Sequence, residues 1–197
     1  MLTEIVSRRS IRAYLPREVS RADLETVLRA GTLAPSSKNR QPWRFTAALG
    51  AEKEAALAAM ARGLEAEARR PLLPESARYL TGAARTLAVM EQAPAVIFVT
   101  NPLGRDPRQA LTADERVFAL CNAQSLGACL ENMALQATAL GLGSLWSCDI
   151  YFAYDALHEW LGGQGALAAA LALGYAAESP PPRPRKPLEE LVEWRGL

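Results

Sequence analysis

The chain carries a single histidine, His158, in 197 residues. That scarcity excludes a multi-histidine metal centre, and no Ser–His–Asp or Cys–His set has a coherent local context. Cysteine is sparse as well. Cys121, Cys129 and Cys148 form neither a CxxC pair nor a metal-ligand spacing, so no metal site is expected. Their odd number leaves one without a partner in the chain. With no signal-peptide pattern, this points to a reduced, cytoplasmic protein. Charge of one sign is also missing: 22 Lys and Arg face 21 Asp and Glu, which gives a nucleic-acid partner no support. Apolar runs are short. The stretch Ala166 to Ala177 is interrupted by Gly174 and falls below the ~20 residues of a membrane helix, so it reads as buried strand.

Half of the residues are hydrophobic, enough for one sizeable core, and the reading is one domain over 1–197. Leu2, Ile5 and Val6 give a short N-terminal helix an apolar face. A second helix has Ser20 as cap, Asp23 three residues on, Leu24, Val27 and Leu28 on one face, and Gly31 as its expected end. Trp43 to Leu49 reads as strand. Residues 51–92 are helix-forming, interrupted at Pro71-Leu72-Leu73-Pro74, and read as a helical flap able to cover a site. Ala95 to Thr100 is a strand whose unbroken apolar run implies burial on both faces. Thr112 with Glu115 forms a capping box. It opens a long helix that runs to Gly141, rich in small residues and expected to be central and buried. Ser144 to Trp146 and Leu167 to Tyr175 complete the strands. From Ser179 five prolines enforce an extended arm, in which Leu188, Leu191 and Val192 have something to bury.

Two kinds of residue stand out as chemistry. Arg8, Arg9 and Arg12 crowd five positions at a helix exit, and Arg183 and Arg185 point the same way on a proline-stiffened segment. Guanidinium forks grip phosphate oxygens through paired donors, each charge-assisted bond contributing roughly 1.5–3 kcal/mol. The loop Ala34-Pro35-Ser36-Ser37-Lys38-Asn39-Arg40-Gln41-Pro42-Trp43 offers both donors and acceptors between two ordered elements, which suits a heterocyclic ligand edge. By contrast, Gly141-Leu142-Gly143-Ser144 only imitates a dinucleotide fingerprint. It lacks the third glycine and follows a helix instead of a strand.

Four segments taken in order carry a family resemblance: Arg8-Arg9-Ser10-Ile11-Arg12-Ala13-Tyr14, the Ala34–Trp43 loop, Leu140-Gly141-Leu142-Gly143-Ser144-Leu145-Trp146, and Arg183-Pro184-Arg185-Lys186-Pro187-Leu188. Together they resemble the FMN-dependent nitroreductase family. The resemblance implies an α+β fold with a mixed central β-sheet flanked by helices, and a homodimer holding FMN at its interface. It implies that Arg8, Ser10, Arg183 and Arg185 bind the phosphate and ribityl region, with Arg9 contacting the cofactor beside them and Arg12 at the pyrimidine edge of the flavin. Pro35, Ser36, Ser37 and Asn39 would come from the second subunit, with Gln41 nearby, and Ser147, Cys148 and Asp149 would pass the flavin N5 side. The long helix departs from the family pattern in having Ser125 where an Asp is common. The function implied is hydride transfer from NADH or NADPH through FMN to a small nitroaromatic or quinone acceptor by a ping-pong scheme. The alternatives are a flavin-dependent oxidase or dehydrogenase of another small molecule, and a low-turnover FMN-binding redox sensor.

Overall fold

In the computed structural model, which describes residues 1–196, six α-helices and four strands alternate along the chain. They are α1 (Thr3–Ser7), α2 (Arg21–Thr32), β1 (Arg44–Leu49), α3 (Gly50–Arg69), α4 (Leu80–Gln92), β2 (Ala95–Asn101), α5 (Ala113–Ala139), β3 (Gly143–Ser147), α6 (Tyr154–Trp160) and β4 (Ala166–Gly174). The strands form one sheet in the order β1-β2-β4-β3. Every pairing between them is antiparallel, so the class is α+β. The parallel component of the expected mixed sheet is confined, among the described residues, to an isolated bridge between Ser10 and Ser144.

The two central strands explain their own composition. Along β2, Val96 and Phe98 face a core built with Leu57, Met60, Met90 and Leu157, whereas Ala95, Ile97 and Val99 face one built with Val27, Leu130 and Met133. β4 repeats the alternation, with Ala170 and Ala172 on the first side and Ala169, Leu171 and Leu173 on the second. Both faces of the sheet are therefore covered by helices, and a period of two along an all-apolar run sorts residues between two cores. Each fully buried large side chain, such as Phe98 or Ile97, contributes about 1.5–3 kcal/mol relative to exposure.

α2 begins as its sequence dictates, with the Ser20 hydroxyl accepting the Asp23 N–H at 3.0 Å. Its Gly31 does not end it. The helix runs on to Thr32, and a Cβ at Gly31 would lie 2.7 Å from Met133 Cγ, so this glycine serves the close approach of α2 to α5. Asn132 of α5 then donates to the Ala30 carbonyl at 3.2 Å, supplying one of the partners a helix end requires. The capping box forms in full at Thr112 and Glu115. The burial expected of α5 holds only for its second half: Cys129, Leu130, Met133 and Ala137 are buried, but Val117, Phe118 and Leu120 are exposed.

The helical excursion is anchored, not loose. Ala56, Leu57, Met60 and Leu64 of α3 and Ala83, Val89 and Met90 of α4 belong to the first core. Lys53 Nζ donates to the carbonyls of Glu91 and Ala93 at 2.8 and 2.7 Å, tying α3 to the end of α4. What stands out from the surface is the connection between the helices, with Leu72 and Tyr79 half exposed. The buried Glu67 carboxylate holds that connection by accepting the N–H groups of Leu72 and Leu73 at 3.0 and 3.1 Å. Beyond β4, Tyr175 and Ala177 bond back to Leu15 and Ala13 at 2.8 and 2.9 Å. The proline-rich arm that follows carries one short 3₁₀ turn, Leu188–Glu190, and leaves Leu188, Leu191 and Trp194 exposed.

Candidate active site

The Ser10–Ser144 bridge places the first arginine segment alongside β3, and the Ile11 N–H donates to the Ser144 carbonyl at 3.0 Å. Gly143 permits this approach, since a Cβ there would lie 2.7 Å from Ile11 Cγ1. The returning chain after β4 brings in the second segment, and the Arg12 backbone N–H donates to the Glu178 carboxylate. As a result Arg8, Arg9, Ser10, Arg12, Arg183 and Arg185 line one cleft of about 250 Å³. Residues from opposite ends of the sequence thus meet within a single chain.

The guanidinium groups in this cleft are not equivalent. Arg8 lies 3.6 Å from Glu131 of α5. Arg9 donates to the carbonyls of Val6 and Arg8 at 2.7 and 2.8 Å, where α1 ends, so part of its fork serves the backbone. Arg12 Nη1 donates to the Ser10 carbonyl at 3.2 Å. Arg185 Nη1 makes long bonds to the carbonyls of Arg183 and Pro184, at 3.4 and 3.3 Å. Each guanidinium carries five N–H donors, so most donors in the cleft have no partner among the described residues. Among the described residues Arg8 alone of the five side chains is paired with a carboxylate, which leaves the cleft with an excess of positive charge suited to an anion.

The Pro35–Gln41 loop is elsewhere. Its residues take no part in the arginine cleft of their own chain, and Pro35, Ser37, Asn39 and Gln41 are exposed. The loop is held in an uncommon backbone shape, with Lys38, Asn39 and Gln41 all in the left-handed region. Ser36 Oγ accepts the Gln41 N–H at 3.0 Å, and Gln41 reaches Asn39 at 3.4 Å. Ser125, where α5 departs from the family pattern, accepts the Ser37 N–H at 3.3 Å while its own hydroxyl bonds to the Cys121 carbonyl. The substitution at 125 therefore acts on the seating of this loop.

The third group follows β3. From Ser144, which pairs with Ser10, to Ser147 the strand advances about 10 Å. Ser147 is buried and its Oγ accepts the Asp149 N–H at 3.1 Å. Thr86 of α4 donates to the Asp149 carboxylate, fixing the turn from the other side. The Cys148 residue is exposed at its surface, yet burial of its thiol raises the pKa, so the thiol stays protonated at neutral pH. Cys148 and Asp149 border a largely apolar cavity of about 450 Å³ with Tyr79, Tyr151, Phe152 and Tyr154.

Sequence reasoning missed several of these contributors. Arg108 bridges Asp106 and Asp155, at 2.5 Å to each, and its guanidinium lies 4.8 Å from the centre of the Tyr154 ring. This clasp pins the 102–111 loop to α6. Hydrogen bonding from Arg108 lowers the Asp106 pKa, while that of Arg108 itself is raised. The Asp106-x-Arg108 spacing is visible in the sequence, but its partner Asp155 lies in another element. Thr86 gives no signal at all. Among the described residues no cluster of His, Cys, Asp and Glu could hold a metal ion, and no helix is long and apolar enough to cross a membrane.

Set against known proteins, residues 5–175 match the model of the Nitroreductase family. The chain belongs to that family. Among its relatives is a Haemophilus influenzae protein named "Putative NAD(P)H nitroreductase", 28% identical over 96% of this chain and 93% of that protein. A Thermus thermophilus protein named NADH dehydrogenase is 30% identical over 98% of this chain and 95% of its own. Among solved structures, a mutant of the FMN and NADPH-dependent nitroreductase NfnB from Sphigopyxis sp. strain HMH superposes with a TM-score of 0.74 at 25% identity, covering 98% of both chains. The α+β architecture is thus the nitroreductase-like fold.

Proposed function

We propose that this chain is an FMN-dependent oxidoreductase that takes hydride from NADH or NADPH and passes it to a small organic acceptor of the nitroaromatic or quinone type. The observation that carries the proposal is the convergence of Arg8, Arg9, Ser10 and Arg12 with Arg183 and Arg185 on one cleft. An excess of guanidinium donors in about 250 Å³ fits a phosphate monoester. The names of the relatives, and the dependence of NfnB on FMN and NADPH, support the same reading.

In this reading Arg8, Ser10, Arg183 and Arg185 hold the FMN phosphate and ribityl chain, and Arg9 steadies the end of α1 beside them. Arg12 stands at the pyrimidine edge, where a fixed cation favours negative charge on the ring. The Ser147–Asp149 turn presents backbone groups to the N5 side. FMN, when bound, supplies the centre that accepts and then donates hydride. The donor and the acceptor then use one site in alternation. The protonated Cys148 thiol is a packing group, not a nucleophile.

Homodimerisation completes the site. The Pro35–Gln41 loop is exposed and excluded from its own arginine cleft, so Pro35, Ser36, Ser37, Asn39 and Gln41 act on the FMN of a second copy. The apolar residues left open on α1, α5 and the arm, among them Ile5, Val117, Leu120 and Leu191, are the surface such a dimer would cover. The test is reconstitution with FMN followed by gel filtration and anaerobic addition of NADH or NADPH. Yellow dimeric protein that bleaches is expected, with riboflavin bound more weakly than FMN. Protein that stays colourless would sink the proposal. Mixing Arg8→Ala with Asn39→Ala should restore one intact site per heterodimer; no recovery on mixing would refute the shared site.

A further inference from the structure

The apolar cavity beside Cys148 and Asp149 shares no residue with the arginine cleft. Leu73, Tyr79, Pro107, Tyr151, Phe152 and Tyr154 form its walls. Tyr79 and Phe152 stack with ring centres 6.1 Å apart and planes 25° from parallel, so the connection between α3 and α4 reaches across to the chain after β3. Two of the three tyrosines withhold their polar ends. Tyr151 donates its hydroxyl to the Ala168 carbonyl at 2.9 Å, and the Tyr154 hydroxyl is buried. A space bordered mainly by rings and aliphatic carbon suits a flat ring.

Among the described residues, the charged groups lining this cavity are Arg108 and Asp149. Arg108 would be a ready receptor for a carboxylate, but its donors are committed. Its Nε–Nη2 edge is bidentate on Asp106, at 2.9 and 2.5 Å, and its Nη1–Nη2 edge is bidentate on Asp155, at 3.1 and 2.5 Å. These are the edges through which a guanidinium grips a carboxylate. One face of the group also lies over the Tyr154 ring. One cation against two carboxylates leaves this cluster negative. Asp149 adds a further carboxylate, whose side-chain partner is the neutral Thr86 hydroxyl. An anion entering the cavity therefore meets like charge and finds no open guanidinium edge.

We propose that this cavity is the acceptor site and that the Arg108 clasp makes it select uncharged ring compounds, quinones and neutral nitroaromatics, over carboxylated ones. Arg108 is then a specificity-determining residue whose charge is masked by its two aspartates. The proposal rests on the hydride-transfer reading, which puts Cys148 and Asp149 on the N5 side, and it narrows the acceptor of that reading.

Naphthalene-2-carboxamide and 2-naphthoate test it, because they share one shape, differ in charge and accept no hydride. Titration calorimetry on the oxidised, FMN-loaded protein should show the carboxamide bound about tenfold more tightly. Desolvation alone favours an amide in any apolar cavity, so the aspartate variants decide the cause. Asp155→Asn should shrink the ratio several-fold. Asp106→Asn combined with Asp155→Asn should reverse it, since Arg108 then has open edges for the naphthoate. Tyr79→Ala should weaken both probes alike and keep the ratio. The carboxamide should also compete with 2-methyl-1,4-naphthoquinone in turnover. Thermal melting checks that each variant is folded; Asp155→Asn keeps the shape of the side chain and the Asp106 contact, so its loop should stay tied. Equal affinities in the wild type overturn the proposal, as do a ratio unchanged by Asp155→Asn, absence of saturable carboxamide binding, or carboxamide binding without competition. Protein that takes up no FMN sinks the hydride-transfer reading instead. Flavin-loaded protein that bleaches with NADH or NADPH yet shows no charge preference sinks this proposal alone.

Discussion

Replacing Gly143 with Ala tests how the arginine cleft is built. The residue lies outside the left-handed region, so Ala fits the backbone and, within a strand, should gain about 0.5–1 kcal/mol in lower unfolded-state entropy. Sterics act against this. The new Cβ would meet Ile11 Cγ1 at 2.7 Å and Ile11 Cβ and Cγ2 at 3.0 Å, against about 3.5–4.0 Å for carbon atoms at their optimum. Ile11 is buried and cannot swing into solvent, so its segment must move by several tenths of an ångström. Overpacking of this kind costs about 1–3 kcal/mol, which outweighs the entropic gain. Urea unfolding should show a net loss of about 1 kcal/mol. Ile11 sits between Ser10 and Arg12, so the same displacement should weaken FMN about tenfold in a fluorescence titration, as if one charge-assisted bond were lost. Ile11→Ala alone leaves a cavity and should cost about 2–5 kcal/mol. Combined with Gly143→Ala it should cost less than the sum, because each change accommodates the other. Strict additivity, or Gly143→Ala protein with undiminished FMN affinity, would refute the claim that this contact sets the position of the arginines.

Arg12→Ala should lower the flavin midpoint potential by about 30 mV, equivalent to about 1.4 kcal/mol for two electrons, with most FMN affinity kept. Arg183→Ala should instead weaken FMN and leave the potential nearly unchanged; the reverse pattern in redox titrations would exchange the two roles. Thr112→Ala removes the capping box of α5 and should cost about 1 kcal/mol by denaturant unfolding. Burial pushes the Cys129 thiol up to about 12. Its contribution to stability is therefore full below the unfolded pKa of about 8.5 and is lost as pH climbs towards the folded value, at up to about 1.4 kcal/mol per pH unit. Cys129→Ala should flatten the fall in stability between about pH 9 and 10, before the tyrosines ionise in the unfolded chain. Melts that fall equally steeply with and without Cys129 would count against this assignment.

Local chemistry is legible in the sequence and long-range geometry is not. The Ser20 cap, the Thr112–Glu115 box and the all-apolar run of β2 each depend on neighbours a few residues away, and each forms as read. Gly31 misleads because its signal, a glycine near a helix end, is shared by caps and by tight helix contacts; Met133 decides between them from 102 residues away. The exposed half of α5 is hidden because small residues suit both a buried helix and an open face. At the site, the arginines are visible as residue types, and their convergence follows from the Ser10–Ser144 bridge, which no local pattern encodes. Arg9 shows a further limit. A guanidinium near a helix exit can serve an anion or the last carbonyls, and here part of it serves the carbonyls.

The bond between the Arg12 N–H and Glu178 joins residues 166 apart in sequence. Closing so long a loop carries an entropic cost that must be met before the contact stabilises anything. The antiparallel pair of β1 and β2, and α2 against α5, bring together closer stretches of chain and bury far more apolar surface. In a refolding experiment the sheet should therefore gain its protection before the chain ends meet, and the cleft between them should be the last part to become competent for ligand. A ligand that binds there would act as a clasp on the finished fold, stabilising the native state by mass action and slowing the opening of its ends.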